Sequence, residues 1–169
     1  KTTIYFATLS VSLEFFVGLG IAALLSRITH RITRGVLGAI FLIPITITPI
    51  VASLTWRSWY NPAYGMVNYF LSLFGIPGHA WIADPGTALN AALMVEIWQW
   101  TPFVILVLTS SILALPDAPN EAAIVDGASE WQTFRQITIP LLRPAILVVL
   151  LIRTMDVLRI FDMIYALTR

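Results

Sequence analysis

Four apolar segments, each long enough to cross a bilayer, constrain this sequence more than any other feature. They cover residues 4–25, 35–56, 88–115 and 141–167. A helix needs about 20 residues to cross the hydrocarbon core. Of the 169 residues, 58% are hydrophobic and 11% are charged, whereas soluble domains average about 25% charged residues. The sequence therefore predicts an all-α integral membrane protein with four transmembrane helices in a single domain, 1–169.

The polar intervals between these segments predict the topology. Residues 27–34 form a short basic loop, which the positive-inside rule places in the cytoplasm; contact with anionic lipid would place it on the same face. Residues 116–140 follow the third span and so return to that side. Residues 57–87 are rich in aromatic and turn residues and are predicted to be external, with a short helix over 66–74. That external loop either contacts an outside partner or anchors the chain at the membrane interface.

Small residues and prolines predict local geometry in the first two spans. Gly18 and Ala22 are four residues apart and would let a neighbouring helix approach closely. Pro44 and Pro49 lie inside the second span, which is therefore predicted to be kinked or broken midway. Such a break is tolerated in a membrane where neighbouring groups satisfy the freed carbonyls.

Charged residues lie at membrane depth in three of the spans. Glu14 and Glu96 are in the first and third, where an isolated carboxylate is costly and is expected to face the bundle interior. The fourth span carries a ladder in which the sign alternates every three residues. This ladder rises about 13 Å and winds around the helix. Its members are Arg153, Asp156, Arg159 and Asp162.

Two interpretations of these charges remain open. The ladder either forms neutralising pairs, along the helix or with Glu14 and Glu96, or it gives a solute path a polar lining. Asp162, with Tyr165 three residues later, is the candidate for facing a solute, because a carboxylate accepts hydrogen bonds from hydroxyl groups.

The 116–140 segment is predicted to form two short helices joined at a glycine. Asp117 or Asn120 can cap the first helix. Gly127 then interrupts it, since glycine permits a sharp change of direction. Ser129 followed by Gln132 has the spacing of a capping box for a second helix, which Pro140 is expected to terminate.

The same segment resembles the EAA loop of permeases from binding-protein-dependent ABC importers. The residues that carry the resemblance are Glu121, Ala122, Ala123, Asp126, Gly127, Ile137 and Pro140. Ile139 stands where that family usually has leucine, which is an apolar exchange. The alternative is an amphipathic interfacial hairpin without a protein partner. We call residues 116–140 the EAA segment below.

Two further stretches resemble carbohydrate importers of the trehalose and maltose group. They are residues 153–168 and the stretch from Glu96 to Phe103. Permeases of this family usually have six spans with both termini in the cytoplasm. The resemblance therefore implies that a first and a last span are missing from the four-span piece.

The resemblance also implies the partners and the division of labour. The chain would be a transport subunit in a bacterial or archaeal cell membrane, embedded in lipid. It would pair with a second, homologous permease, with an ABC ATPase dimer and with an extracytoplasmic sugar-binding protein. It would bind no cofactor itself, since ATP and Mg²⁺ would be used by the ATPase. Glycerol phosphate, another oligosaccharide or a polyol remain open as alternative solutes.

Other function classes find little support in the sequence. There is no GxxxxGK[ST] phosphate-binding loop, HExxH or GxSxG motif. The absence of cysteine and the wide separation of His30 and His79 give no indication of a metal site. The net charge of +1 gives no indication of nucleic acid binding. An ion-coupled secondary transporter could use carboxylates at depth, but it would have no use for an EAA loop.

Overall fold

A computed structural model describes residues 2–159, and every regular element in that range is helical, which confirms the all-α prediction. The helices of the first half are α1 (Thr2–Ser26), α2 (Arg31–Leu42), a 3-10 turn (Pro44–Thr46), α3 (Pro49–Trp59) and α4 (Met66–Ser72). Those of the second half are α5 (Ala88–Leu113), α6 (Ala118–Val125), α7 (Glu130–Thr133), a π turn (Phe134–Thr138), α8 (Ile139–Leu141) and α9 (Arg143–Val157).

Three long helices, α1, α5 and α9, form the centre of the molecule. Two buried apolar clusters join them, one containing Phe6, Ala91 and Val157 and the other Ala22, Leu108 and Val149. The order of these residues along the chain shows that α1 and α5 run parallel while α9 runs antiparallel to both. α2 and α3 return the chain from the end of α1 to the end of the bundle where α5 begins.

Close approach of α1 to α5 depends on the small residues of α1. A Cβ atom added at Gly18 would lie 2.6 Å from Val104 Cγ1 and 2.7 Å from Val104 Cβ, so no larger residue fits without movement of α5. Ala22, one turn further on, is completely buried. The small-residue spacing predicted from the sequence thus lies at this helix contact.

The predicted second span is divided at its two prolines. α2 ends at Leu42, the 3-10 turn follows, and α3 begins at Pro49. The buried amide of Gln99 in α5 donates a hydrogen bond from Nε2 to the Ile47 carbonyl at 2.8 Å, which satisfies a backbone acceptor within the break. The break therefore has its polar backbone supported by a neighbouring helix, as a membrane interior requires.

Two described helices, α1 and α5, are long and apolar enough to cross a membrane. A third crossing is obtained if Glu130–Leu141 and Arg143–Val157, which meet at a bend of 65°, are counted as one span. Because α2 and α3 are separately short and the predicted fourth span continues beyond the described residues, the count of four crossings stays a prediction.

Candidate functional site

The first helix of the EAA segment is α6, which carries the Glu121-Ala122-Ala123 motif. Ala123 is buried, whereas Glu121 and Ala122 are exposed. Glu121 lies in the first turn of α6, where the helix dipole favours an anion. Asp117 occupies the N-cap position predicted for it but makes no side-chain capping hydrogen bond. The motif therefore exposes the charged side chain of Glu121, while Ala123 packs against the rest of the protein.

Gly127 ends α6 in a left-handed conformation with φ +77°. The Ala128 N–H donates to the Ala123 carbonyl at 2.9 Å and the Gly127 N–H donates to the Ile124 carbonyl at 3.1 Å. These two bonds are those of a Schellman motif, which normally requires glycine at this position. A Cβ atom at Gly127 would meet nothing within 4 Å, so the requirement for glycine comes from the backbone alone.

The second arm of the EAA segment begins with the capping box that the sequence predicts. Ser129 N–H donates to Gln132 Oε1 at 2.7 Å, and Gln132 N–H donates to Ser129 Oγ at 3.3 Å. The second arm ends at Leu141, one residue after Pro140, and the chain bends by 65° before α9 begins at Arg143. Pro140 lies in the first turn of the short helix α8, directly after the π turn, where its missing N–H is tolerated.

An ion pair connects the EAA segment to the basic loop that follows α1. Arg27 Nη1 lies 2.8 Å from Glu130 Oε2, and both side chains are exposed. Such a pair contributes little free energy, but it shows that the two regions predicted to share one side lie at the same end of the bundle. Between them is an open groove of about 580 Å³, lined in part by Asp117, Asn120 and Phe134.

The EAA segment exposes a group of apolar side chains. Ile124, Val125 and Trp131 are each well exposed, and the Trp131 ring stacks on Phe134 with centroids 5.9 Å apart. Large exposed apolar patches on a protein mark contacts with another protein or with a membrane. These exposed apolar side chains are a structural feature of the EAA segment in addition to the motif spacing that carries its resemblance in sequence.

A second group of candidate residues forms a buried ionic cluster at the centre of the bundle. Arg153 in α9 donates to Glu14 of α1 through two bonds, from Nε to Oε2 at 2.7 Å and from Nη2 to Oε1 at 3.1 Å. Its Nη2 atom also donates to Glu96 Oε1 of α5 at 2.6 Å. All three side chains are 0–2% exposed. The cluster thus ties together the three helices that build the bundle.

The surroundings of the cluster include groups that sequence reasoning missed. The Arg153 guanidinium lies over the Trp100 ring, 4.6 Å from its centroid, in a cation–π contact that adds to the ion pairs. The contacts of Trp100 and Gln99 could not be read from the sequence, because each depends on which residue lies opposite in the folded protein. Within residues 2–159, Glu96 Oε2 and Arg153 Nη1 have no hydrogen-bond partner.

The other members of the predicted ladder are placed differently. Asp156 is 47% exposed, and its Oδ2 atom lies 3.6 Å from Arg153 Nη1. Arg159 is exposed at the end of the described chain. Asp162 and Tyr165 lie outside the described residues. The structure therefore brings Arg153, Glu14 and Glu96 together and leaves Asp156 partly accessible.

The loop between α3 and α5 is ordered by its own polar contacts at the opposite end of the bundle from the EAA segment. The hydroxyl of buried Tyr60 donates to the Ala91 carbonyl at 3.2 Å, and burial raises the pKa of Tyr60 to about 12. Asp84 accepts from the Gly86 N–H at 2.9 Å and lies 2.9 Å from His79 Nε2. These two contacts, the Gly86 bond first, hold the pKa of Asp84 below its usual value.

Comparison with known proteins links this geometry to a transport family. The family model described as "Binding-protein-dependent transport system inner membrane component" matches residues 9–169. The chain is 42% identical to a trehalose/maltose transport system permease protein of Thermococcus litoralis, over 98% of this chain and 56% of that protein. It is 35% identical to a trehalose transport system permease protein of Mycobacterium tuberculosis, over 98% of this chain and 52% of that protein.

The solved structures give the same result at the level of the fold. A bacterial alginate ABC transporter, crystallised in complex with an alginate pentasaccharide-bound periplasmic protein, superposes with a TM-score of 0.85 at 26% identity. The match covers 95% of this chain and 56% of that one. The chain thus spans about half the length of the curated relatives and a similar share of this structural one.

Proposed function

The chain belongs to the family of binding-protein-dependent transport system inner membrane components, and we propose that it is part of the permease subunit of an ATP-driven sugar importer. The observation that carries the proposal is the EAA segment, in which a motif-bearing helix, a left-handed glycine and a capped second helix lie at one end of a bundle of membrane-type helices. This combination suits a transport subunit that receives movement from a partner and performs no bond chemistry itself.

The EAA segment is the proposed contact with a separate ABC ATPase dimer, which would use ATP and Mg²⁺. Support comes from its exposed Ile124, Val125 and Trp131 and from the exposed Glu121. Its second arm passes through the π turn and the 65° bend into α9. Since α9 carries Arg153, a displacement of this arm would act on the helix that is locked to α1 and α5.

The solute path is proposed to form between this subunit and a second, homologous permease. The buried Glu14–Arg153–Glu96 cluster is better suited to holding the bundle together than to lining a path, because its side chains are 0–2% exposed. Asp156 and Arg159 remain candidates for the lining, since both are accessible. Carboxylate groups can accept hydrogen bonds from the hydroxyl groups of a neutral sugar, and guanidinium groups can donate hydrogen bonds to them. Asp162 and Tyr165 stay predictions.

A disaccharide of the trehalose or maltose type is the favoured solute. This choice rests on the two permease relatives, which are named for trehalose/maltose and for trehalose transport. An extracytoplasmic binding protein would deliver the sugar, by analogy with the periplasmic protein bound to the alginate transporter. Glycerol phosphate, another oligosaccharide or a polyol would use the same architecture with a differently lined path.

The coupling role can be tested by replacing Gly127 with valine in the complete transporter. Because residue 127 has φ +77° and an open environment, the change strains the turn of the EAA segment without a steric clash. We expect sugar uptake to be largely lost and less ATPase to be retained during purification, while the permease still inserts into the membrane.

The matched control for this experiment is Gly38→Val. Gly38 lies in α2, has an ordinary helical backbone and also has nothing within 4 Å of an added Cβ. This variant should keep its uptake and its ATPase. Normal uptake by Gly127→Val would mean that the EAA segment does not couple the subunits in this protein.

A further inference from the structure

The short helix α4 exposes its apolar face. Met66, Tyr69, Phe70 and Leu73 follow the i, i+3, i+4, i+7 spacing of one helical stripe, and each is 50–63% exposed. In an ordinary surface helix this stripe would face the protein core. Phe74 and Ile76, which follow directly, are exposed as well. The apolar surface is thus continuous from the helix into the turn after it.

The opposite face of α4 is fixed to the protein by a polar side chain. Asn68 is buried, and its side chain both donates to the His79 carbonyl at 3.0 Å and accepts from the His79 N–H at 3.1 Å. Trp81 Nε1 donates to the same Asn68 oxygen at 2.8 Å. Because these bonds define the orientation of the helix, it cannot turn its apolar stripe inward without breaking them.

The contacts of α4 place it at one end of the bundle. Trp81, which donates to Asn68, packs against Tyr60 with ring centroids 6.3 Å apart, and Tyr60 donates to the Ala91 carbonyl in the first turn of α5. Tryptophan and tyrosine are enriched where a membrane meets water. This end lies opposite the EAA segment, so α4 adjoins the boundary of the apolar bundle.

The charge pattern favours lipid over a soluble protein as the occupant of this surface. Residues 58–78 contain no Asp, Glu, Lys or Arg. A docking surface for a soluble partner normally carries a polar, charged rim. An uncharged apolar stripe that includes Tyr69 instead suits the boundary between headgroups and acyl chains, where tyrosine and tryptophan are enriched.

We infer that α4 and the turn after it insert into the membrane leaflet at the end of the bundle opposite the EAA segment. The helix lies in the interface plane, with Met66, Tyr69, Phe70 and Leu73 toward the acyl chains and Asn68 toward the protein. This contact goes beyond the proposed transport function, and it does not depend on which solute is carried or which ATPase binds.

The test measures the surroundings of a spin label on the proposed lipid-facing stripe. Leu73→Cys is labelled with a nitroxide in the complete transporter, reconstituted into phosphatidylcholine–phosphatidylglycerol vesicles. Power-saturation spectra are recorded with oxygen, which concentrates in lipid, and with a water-soluble nickel chelate. We expect the ratio of oxygen to nickel accessibility at position 73 to exceed that of the control several-fold.

Ala83→Cys is the matched control, because Ala83 is also exposed but lies beside the charged Asp84 in the polar part of the loop. High nickel and low oxygen accessibility at position 73 would place the stripe in water and overturn the inference. Low accessibility to both reagents would show that a protein, either the second permease or the binding protein, covers the stripe, and would overturn it equally. ATPase retention by both variants shows that each is assembled.

Discussion

Arg153 is enclosed so completely that its removal would leave two buried carboxylates facing each other. It makes three hydrogen bonds to Glu14 and Glu96 and lies over Trp100. The cost of taking charges out of water is offset only while all partners are present, so such a cluster is sensitive to the loss of one member. The half-exposed Asp156, whose Oδ2 atom lies 3.6 Å from Arg153 Nη1, makes a weaker and partly solvated ion pair with Arg153.

We therefore expect Arg153→Met to destabilise the permease by about 3–5 kcal/mol, the range for breaking a buried pair on one side. A triple variant, in which Glu14→Gln and Glu96→Gln accompany Arg153→Met, should recover much of this loss because no uncompensated charge remains. The measurement is the apparent unfolding temperature of the purified protein in detergent.

Arg159→Met is the control for this prediction, because Arg159 is exposed and should tolerate the change with little effect on unfolding. Equal unfolding temperatures for the Arg153 and Arg159 variants would show that the cluster does not stabilise the bundle.

Helices α1 and α5 pack in parallel over much of their length, and this contact has one especially close point. Gly18 lies against Val104, where an added Cβ atom would come within 2.6 Å of the valine side chain. Small residues bring helices together in a membrane because packing between them replaces the missing hydrophobic drive. The α1–α5 distance is therefore set by the absence of a side chain at residue 18.

At the scale of these elements we predict that Gly18→Ala destabilises the permease by about 1–3 kcal/mol, as overpacking of a tight contact does. The readout is again the apparent unfolding temperature. Gly20→Ala is the comparison, since Gly20 is in the same helix and has nothing within 4 Å of an added Cβ. If the two alanine variants unfold alike, the close approach at Gly18 does not limit the packing of α1 on α5.

The whole molecule has two distinct ends. The basic loop and the EAA segment meet at one end through Arg27 and Glu130. The Asn68-centred loop and α4 lie at the other, where Tyr60 bonds Ala91 near the start of α5. This arrangement places at opposite ends of the bundle the regions that the sequence assigned to opposite sides of the membrane.

The topology prediction is tested with single cysteines, since residues 1–169 contain no cysteine of their own. Arg31→Cys should resist a membrane-impermeant thiol reagent in intact cells and react after permeabilisation, because its basic loop is predicted to be cytoplasmic. Tyr64→Cys, exposed at the other end, should react without permeabilisation. Labelling of position 31 but not of position 64 in intact cells would show that the orientation is the opposite of the predicted one.

Local features of this protein were readable from the sequence because they depend on neighbouring residues. Apolar length predicted the long helices α1 and α5, and the two prolines predicted the break between α2 and α3. Ser129 with Gln132 predicted a capping box that is present. Gly127 predicted a turn because the left-handed backbone strongly favours glycine. Each of these inferences needs only the geometry of a few consecutive residues.

Tertiary structure alone decided which distant groups meet. The sequence named Glu14 and Glu96 as possible partners of the charged ladder, but the choice of Arg153 depends on the antiparallel position of α9 against α1 and α5. The bond from Gln99 to Ile47 and the ring of Trp100 beneath Arg153 had no local signal. The apolar stripe of α4 is readable from residue spacing, but its outward orientation follows from the bonds that hold Asn68 to His79 and Trp81. The physical reason is that residues far apart in sequence make these contacts, and their register is set by helix packing.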